Sequence, residues 1–321
     1  MSQFEDRIKA MKFTTPEFIP FDVGILPAAW MKHREALDEI VHNHPIVFGD
    51  LGTTVRDFDY IGPASFHEGK HTDIWGCVWS NVSEGMEAIV TEHPLPNRED
   101  VLTMKTPAKP LGGLPHGFMY LRLADLRGFE EVMIDFAEEP EELQILIDTV
   151  LSHNMMELEL VLQNKHDSYV SFGDDLGMQA SLPMSPATWR KYLKPCYMKM
   201  YQRVHAAGYD VYMHTDGHIY EIIPDLIDCG VNVVNPQIRA NGLDNLARVC
   251  KGKVCVDLDL DRQMFPFCRP EEIDAHVREA VETLGAPEGG LWLRAEIGPD
   301  VPLATIDAIC VALETYRGYY R

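Results

Sequence analysis

Short apolar runs alternate with longer amphipathic stretches along most of this chain, and this alternation constrains the fold more than any other feature. The runs are rich in Val, Ile, Tyr and Phe, which favour strands, whereas the longer stretches have helical periodicity. Strands that alternate with helices in this way form βα units around a parallel sheet. The eight candidate strands are residues 46–49, 77–81, 118–123, 168–173, 210–213, 231–235, 253–256 and 291–295.

Eight strands are the number that closes a parallel barrel, so we predict an α/β protein with the (β/α)8 TIM-barrel fold. A chain of 321 residues is long enough for one such barrel, and we expect a single domain over residues 1–321. Residues 1–45 and 52–117 are rich in Pro and Gly and are predicted to form an N-terminal extension and inserted loops. Helices are predicted to start near Pro140, Ser185, Pro270 and Leu303.

The charge of the chain limits its partners. It has 28 Lys and Arg against 50 Asp and Glu, for a formal net charge of −22. Such a chain repels polyanions, which argues against nucleic acid and anionic membranes as partners. The seven cysteines form no CxxC pair, the N-terminus lacks an apolar signal core, and no apolar run is long enough to span a membrane. We therefore expect a cytoplasmic protein.

Polar residues that follow the predicted strands are the candidates for chemistry, because parallel barrels place their active sites at the C-terminal ends of the strands. For any single acid the alternative is structural, since an Asp after a strand often caps the next helix. A whole rim of acids is harder to explain in that way, because the carboxylates would raise one another's pKa. The residues of this rim are Asp50, Asp174, Asp175, His214, Asp216, Gln237, Asp257, Asp259 and Glu296.

A metal site is predicted at His214, Asp216 and Glu296. One imidazole and two carboxylates leave an open coordination position, which suits a catalytic zinc. The spacing of these residues does not by itself decide between a metal ligand and a histidine that is only hydrogen-bonded.

Other residues of the rim are predicted to handle the substrate. Asp50, beside Gly49, could orient a substrate or transfer a proton, and Asp174 and Asp175 are further candidates for catalysis. Internal packing is the first explanation of Trp75 and Trp79, and an aromatic wall for a planar substrate is the secondary hypothesis. Gln237, after a predicted strand, is a candidate substrate-binding residue. The sequence contains no GxSxG, GxxxxGK[ST] or strand-linked GxGxxG motif.

Several motifs, taken together, resemble those of the uroporphyrinogen decarboxylase-like superfamily, whose fold is an (α/β)8 barrel. The resemblance covers almost the whole chain and keeps the order of the motifs. They are Asp73-Ile-Trp-Gly, Leu126-Arg-Gly-Phe-Glu, Gly173-Asp-Asp-Leu-Gly, Ser185-Pro, Tyr192-Leu-Lys-Pro, His214-Thr-Asp-Gly, Gly230-Val-Asn-Val-Val-Asn-Pro-Gln and Val301-Pro.

The superfamily that the chain resembles has two branches. In the decarboxylases, the counterpart of Asp50 is an essential aspartate, but these enzymes also have an arginine-rich segment near the N-terminus, where residues 27–35 read Pro-Ala-Ala-Trp-Met-Lys-His-Arg-Glu. In the corrinoid-dependent methyltransferases, an H-x-C pair and a later Cys bind zinc. Here His214 is kept, Asp216 replaces the first Cys, and Glu296 stands about where the later Cys falls. Carboxylates in place of thiolates make the zinc a harder Lewis acid, which does not suit thiol activation.

The resemblance therefore implies the methyltransferases that demethylate aryl methyl ethers in anaerobic metabolism. Such an enzyme moves a methyl group from an O-methyl aromatic ether to the cobalt(I) of a cobalamin-type corrinoid and gives a phenol. No D-x-H-x-x-G cobalamin-binding motif is found, so the corrinoid would be carried by a partner protein. The alternatives are methyl transfer with a thiol or an amine, a decarboxylase of the uroporphyrinogen type, and a non-catalytic binding protein. The sequence leaves open whether the chain forms a homodimer.

Overall fold

The fold was analysed in a computed structural model, which describes residues 3–52, 56–164 and 167–321. The chain divides into two compact units. The first comprises Met1–Gly69, Asn81–Ala88 and Pro236–Arg321, and the second comprises Lys70–Ser80 and Ile89–Asn235. The predicted extension and inserted loops include residues 1–2 and 53–55, which lie outside the described residues. That the chain is one domain stays a prediction.

The first unit contains parallel strands in the order β1-β9-β8. β9 pairs with β1 on one side and with β8 on the other. Every residue of β8 is buried, which is typical of a parallel strand covered on both faces. The strands are β1 (Phe21–Ile25), β8 (Cys255–Asp259) and β9 (Leu291–Ile297), and the helices are α1 (Gln3–Met11), α2 (Pro27–Asn43), α3 (Pro45–Phe48), α10 (Ile238–Asn241), α11 (Leu243–Cys250), α12 (Pro270–Leu284) and α13 (Leu303–Tyr316).

The second unit contains parallel strands in the order β7-β6-β5 and a small sheet, β2-β3-β4, in which β3 and β4 are antiparallel. The strands are β2 (Gly69–Thr72), β3 (Val78–Asn81), β4 (Ile89–Glu92), β5 (Tyr169–Gly173), β6 (Asp210–Thr215) and β7 (Val233–Pro236). The helices are α4 (Tyr120–Arg127), α5 (Phe129–Glu138), α6 (Glu141–Gln163), α7 (Pro186–Tyr192), α8 (Lys194–Ala206) and α9 (Ile223–Cys229).

Parallel strands that alternate with helices confirm the predicted fold class, an α/β fold of the TIM-barrel type. Five of the predicted strands correspond to β5 to β9, and the predicted helix starts correspond to α6, α7, α12 and α13. Among the described residues, none of the helices combines the length and the apolar character needed to cross a membrane.

Three predicted strands were wrong as barrel strands. Residues 46–49 overlap the short helix α3, and residues 118–123 lead into helix α4. Both are short apolar runs, which look alike in a buried helix and in a buried strand. Residues 77–81 do form a strand, β3, but it belongs to the antiparallel sheet. Strand β1 was not predicted, because Asp22 and Gly24 interrupt its apolar pattern.

An aromatic cluster forms part of the core of the second unit. The rings of Phe118 and Phe172 lie 5.3 Å apart, measured between centroids, and Tyr197 contacts Phe118 at 5.4 Å. Tyr201 packs edge-on against Phe172 at 4.9 Å. These rings join β5 to helix α8 and to the residues just before α4, so they hold the end of β5 in a fixed position relative to both helices.

Candidate metal centre

His214 lies near the C-terminal end of β6, beside the end of β5. The two strands are parallel and in register, so that Gly173 pairs with His214. The residues that follow β5 are Asp174 and Asp175, and the backbone N–H of Asp174 donates to the carbonyl of His214 at 3.1 Å. The carboxyl ends of parallel strands meet at one edge, so this pairing places acids next to an imidazole.

Two tight turns fix the segments that follow these strands. A Cβ atom on Gly217, whose φ is +82°, would lie 2.2 Å from the carbonyl oxygen of Gly177. The turns after β5 and β6 therefore pack backbone against backbone, which only glycine permits at this position. The N–H of Gly177 donates to the carbonyl of Asp216 at 3.2 Å, and the N–H of His218 donates to that of Met178 at 2.8 Å.

His116, Asp175 and His214 form a cluster that could hold a metal ion. One ligand atom of each lies within 4.8 Å of the other two. His116 Nε2 is 3.1 Å from one oxygen of Asp175, and His214 Nε2 is 3.8 Å from the other. The imidazole centroids are 5.4 Å apart. His116 is exposed, whereas Asp175 and His214 are half-buried, so the cluster can be reached from solvent.

A loop brings His116 to the end of β5. The N–H of Gly117 donates to the carbonyl of Gly173 at 2.8 Å. A Cβ atom on Gly173 would lie 2.6 Å from Nδ1 of His116, so glycine is needed at position 173 for the imidazole to approach. His116 could not be predicted from the sequence, because a His between Pro115 and Gly117 in a loop carries no periodic signal.

Asn235 orients the imidazole of His214. Its side-chain oxygen is 2.6 Å from Nδ1 of His214, and Asn235 is buried. With the amide oxygen facing the ring, Nδ1 donates, so in the neutral imidazole the lone pair lies on Nε2, on the side of the acids. Metal-binding histidines are usually oriented in this way by a partner on the other nitrogen. Asn235 directly precedes Pro236 at the end of β7, whereas the residue predicted from the sequence after this strand was Gln237.

Asp175 provides the negative charge of the cluster. Burial by itself would raise the pKa of Asp175, but the hydrogen bond to His116 and the charges of His116 and His214 hold it below its ordinary value. The backbone N–H of Asp216 donates to Asp175 at 3.1 Å. The Asp216 side chain is also close, with one oxygen 3.4 Å from Nε2 of His214. The structure therefore brings together three of the residues selected from the sequence, namely Asp175, His214 and Asp216.

Asp174 has a different position from its neighbour. It is fully buried, and its oxygens accept hydrogen bonds from the N–H groups of Met119, Tyr120 and Leu121 and from the hydroxyl of Tyr197. Burial raises the pKa of Asp174 to about 6, against the opposing effect of these donors. The carboxyl group caps α4 and fixes the segment just after His116. A direct part in catalysis stays a prediction that this burial does not favour.

The remaining selected residues of the rim belong to the first unit. Glu296, in β9, accepts a hydrogen bond from Arg262. Gln237 forms a backbone bridge with Asp259, and Asp257 pairs with Arg294 at 3.0 Å. The predicted grouping of Glu296 with His214 stays a prediction, as does substrate binding by Gln237.

Asp50 does not follow a strand, which corrects the reason for selecting it. It is exposed, and it follows helix α3 and Gly49 in the first unit. It accepts a hydrogen bond from the N–H of Gly52 at 3.0 Å. Such a turn is a common local role for aspartate, and catalysis by Asp50 stays a prediction.

The two tryptophans differ in their surroundings. Trp79 donates from its indole nitrogen to Asp73 at 3.1 Å and stacks on His71 at 6.1 Å, measured between ring centroids. Trp75 is buried and lines a cavity of about 550 Å³. Their role as a wall for the substrate stays a prediction.

The donor set of the cluster suits zinc. Two imidazole nitrogens and one carboxylate oxygen form the ligand set found in several catalytic zinc sites, in which a fourth position is left for water or substrate. Such an ion can polarise an oxygen atom of a substrate and stabilise the negative charge that develops on it. The residues present therefore fit a catalytic zinc.

Substitution of Asn235 tests how the centre is oriented. Asn235→Ala should weaken zinc binding by about 10-fold to 100-fold, because it removes the group that orients a metal-binding imidazole. Zinc affinity can be measured by competition with a chromophoric chelator. Asn164→Ala provides the control, since Asn164 is exposed and bonds only to a carbonyl of its own helix among the described residues. An unchanged affinity in Asn235→Ala would contradict the orienting role.

An α/β fold of the TIM-barrel type, with a cluster of metal-binding groups at the ends of two adjacent strands, is typical of a barrel enzyme. Comparison with known families narrows this class. The sequence profile of the family "Uroporphyrinogen decarboxylase (URO-D)" matches residues 119–316, which is more than half of the chain. The chain therefore belongs to the uroporphyrinogen decarboxylase family.

The fold is also similar to that of a solved structure described as a methyltransferase from Methanosarcina mazei. The TM-score is 0.67, and the match covers 98% of this chain and 99% of the other at 16% sequence identity. At this identity the likeness establishes a shared fold. No curated protein has a significant match to the sequence.

Proposed function

We propose that this protein is a methyltransferase that moves a methyl group from an O-methyl aromatic ether to the cobalt(I) of a corrinoid carried by a separate protein. The observation that carries this proposal is the cluster of His116, Asp175 and His214, with Nε2 of His214 turned towards the acids. Membership of the uroporphyrinogen decarboxylase family and a fold shared with a methyltransferase support it.

The reaction requires stabilisation of the negative charge that develops on the ether oxygen. The bond between the methyl carbon and this oxygen breaks, and its electron pair stays on the oxygen, while the electron pair of cobalt(I) forms the new bond to the methyl carbon. The phenolate then takes up a proton from water and leaves as a phenol. A phenolate is a poor leaving group unless its charge is stabilised as it develops.

The residues of the cluster would provide that stabilisation. His116, Asp175 and His214 would hold a zinc ion, which acts as a Lewis acid on the ether oxygen. Asn235 keeps the His214 ring in place, and Asp174 fixes the segment that carries His116. Asp216 adds a carboxylate 3.4 Å from His214. We keep Asp216 and Glu296 as predicted further ligands.

A decarboxylase is the second candidate, because the family takes its name from one. A porphyrinogen carries many carboxylates, and a chain with a net charge of −22 would bind it poorly. The methyltransferase proposal is therefore preferred, and release of carbon dioxide from a porphyrinogen is the result that would reverse this preference.

The reaction is tested by anaerobic incubation of the purified, zinc-loaded protein with a reduced corrinoid and one methyl donor at a time. Loss of the cobalt(I) absorbance should occur with guaiacol-type and veratrole-type ethers, and the corresponding phenol should accumulate in equal amount. Methylated thiols and methylamines serve as matched donors. Turnover of only the methylated thiols or methylamines would contradict the ether specificity. Failure to turn over any of the donors would contradict methyl transfer.

A further inference from the structure

A second concave site lies within the second unit. It is a cavity of about 550 Å³, bounded by Thr72–Trp75, by the loop of residues 111–115 and by side chains of α4 and α6. This volume is within the range of small-molecule pockets. Among the described residues that line the cavity, none is a ligand of the metal centre, so the site is defined independently of zinc binding.

Polar contacts between a buried glutamate and the loop hold the walls of this cavity. Both oxygens of Glu157 accept hydrogen bonds from the loop, from the N–H groups of Leu111, Gly112 and Gly113 at 2.8, 2.7 and 3.2 Å. Trp75 is 8% exposed, and the edge of the His153 ring packs against it at 4.9 Å between centroids. The cavity is therefore formed before any ligand binds, which lowers the entropic cost of binding.

Arg122 is the group that points to a ligand. It is 6% exposed, and its Nη1 donates to Asp73 at 2.7 Å and more weakly to the sulfur of Cys77 at 3.8 Å. Its Nε and Nη2 donate to no other residue in the part of the chain that the structure describes. The nearly buried guanidinium thus has two N–H donors on one edge, at Nε and Nη2, that donate to no described residue. These two donors match the two oxygens of a carboxylate.

The apolar part of the site includes the ring of Trp75. The guanidinium carbon of Arg122 is 6.0 Å from the centre of the Trp75 ring, and Leu114 and Pro115 are among the other residues that line the cavity. A flat ring that lies against Trp75 would therefore bring a carboxylate attached to it close to Arg122.

We infer that this cavity binds an aromatic carboxylate, with its ring against Trp75 and its carboxylate on Nε and Nη2 of Arg122. Benzoate is the simplest probe of this class. Benzamide has the same ring and shape without the charge, and acetate has the charge without the ring. Both probes should therefore bind more weakly than benzoate.

The test is isothermal titration of the full chain with benzoate, repeated with the variant Arg122→Lys. Lysine keeps a positive charge for Asp73 but lacks the planar fork, so benzoate affinity should fall by about tenfold or more, the change expected when a bidentate charged hydrogen bond is lost. Arg203→Lys is the matched control, because Arg203 forms its bidentate pair with Glu159 outside the cavity. Benzoate affinity should be unchanged in this control.

Two further measurements locate the probe. Benzoate binding should persist in His214→Ala, because the metal centre is not the binding site. In protein labelled with ¹⁵N-tryptophan, benzoate should shift the NMR signal of the Trp75 indole. This signal is identified as the one that disappears in Trp75→Phe. The measurement uses the unsubstituted binding site, so it tests the inference even if Arg122→Lys does not fold. Three results would overturn the inference: no saturable binding of benzoate, equal affinity for benzamide, or loss of binding in His214→Ala with no shift of the Trp75 signal.

Discussion

His214→Ala is expected to cause the largest loss of methyl transfer that the structure predicts. Removal of the imidazole leaves only His116 and Asp175 of the cluster, and two donors are too few for a catalytic zinc site. The rate with a guaiacol-type ether should fall by about a hundredfold or more, as when one group that stabilises developing negative charge is removed.

The measurement combines two readouts on the same preparation. Zinc per chain is determined after dialysis, and the rate is followed as loss of the cobalt(I) absorbance. His67→Ala is the control, because His67 is exposed and pairs with Glu84 in the first unit. Equal zinc content and equal rates in His214→Ala and the unsubstituted protein would show that His214 is not a ligand.

Asp174→Ala is expected to cause the largest loss of stability. The substitution leaves the N–H groups at the start of α4 and the hydroxyl of Tyr197 without their buried acceptor. A buried charge-assisted network of this size should lower the free energy of unfolding by about 3 kcal/mol or more. Urea denaturation followed by circular dichroism measures the change.

Two further variants, both expected to cost less stability, serve as comparisons for Asp174→Ala. Tyr197→Phe removes only one of the donors to Asp174 and should cost about 1 to 2 kcal/mol. Asp228→Ala removes an acid that is 69% exposed and should change stability by less than about 0.5 kcal/mol. A cost for Asp174→Ala no larger than that of Asp228→Ala would contradict the capping role.

The same carboxyl group predicts the direction of a pH effect. The pKa of Asp174, about 6 in the folded protein, lies above its ordinary value of 3.8. The folded protein thus binds this proton more tightly than the unfolded chain, and the contribution of Asp174 to stability falls as the pH rises from about 4 to about 6. The difference in stability between the unsubstituted protein and Asp174→Ala should therefore be larger at the lower end of this pH range. A difference that grows with pH would contradict the raised pKa.

Much of the fold could be predicted because short stretches of the sequence carry the patterns of its strands and helices. β5 to β9 are apolar runs bounded by polar residues, and α6 and α12 begin with Pro followed by acids. The errors have a common cause. Residues 118–123 are mostly apolar with no turn residue among them, and they lead into α4, whose first N–H groups are capped by the distant Asp174. The local sequence pattern gives no information about this contact between Tyr120 and Asp174, which are 54 residues apart.

The candidate site divides in the same way. His214 lies near the end of β6, and Asp175 and Asp216 follow β5 and β6, so their place at a strand end could be predicted. His116 lies in a loop, and the absence of a side chain at Gly173 is what lets it approach the cluster. Asn235 is inside a buried strand, where sequence reasoning expects packing and not the orientation of an imidazole. Which of two neighbouring aspartates caps a helix and which faces a histidine depends on tertiary contacts alone.

The most direct test of the proposed metal centre is an anomalous difference map at the zinc absorption edge, from crystals of the zinc-loaded protein. The account predicts one strong peak within bonding distance of Nε2 of His116, Nε2 of His214 and an oxygen of Asp175. A peak bonded to Asp216 and Glu296 but remote from His116, or no peak near His214, would contradict it.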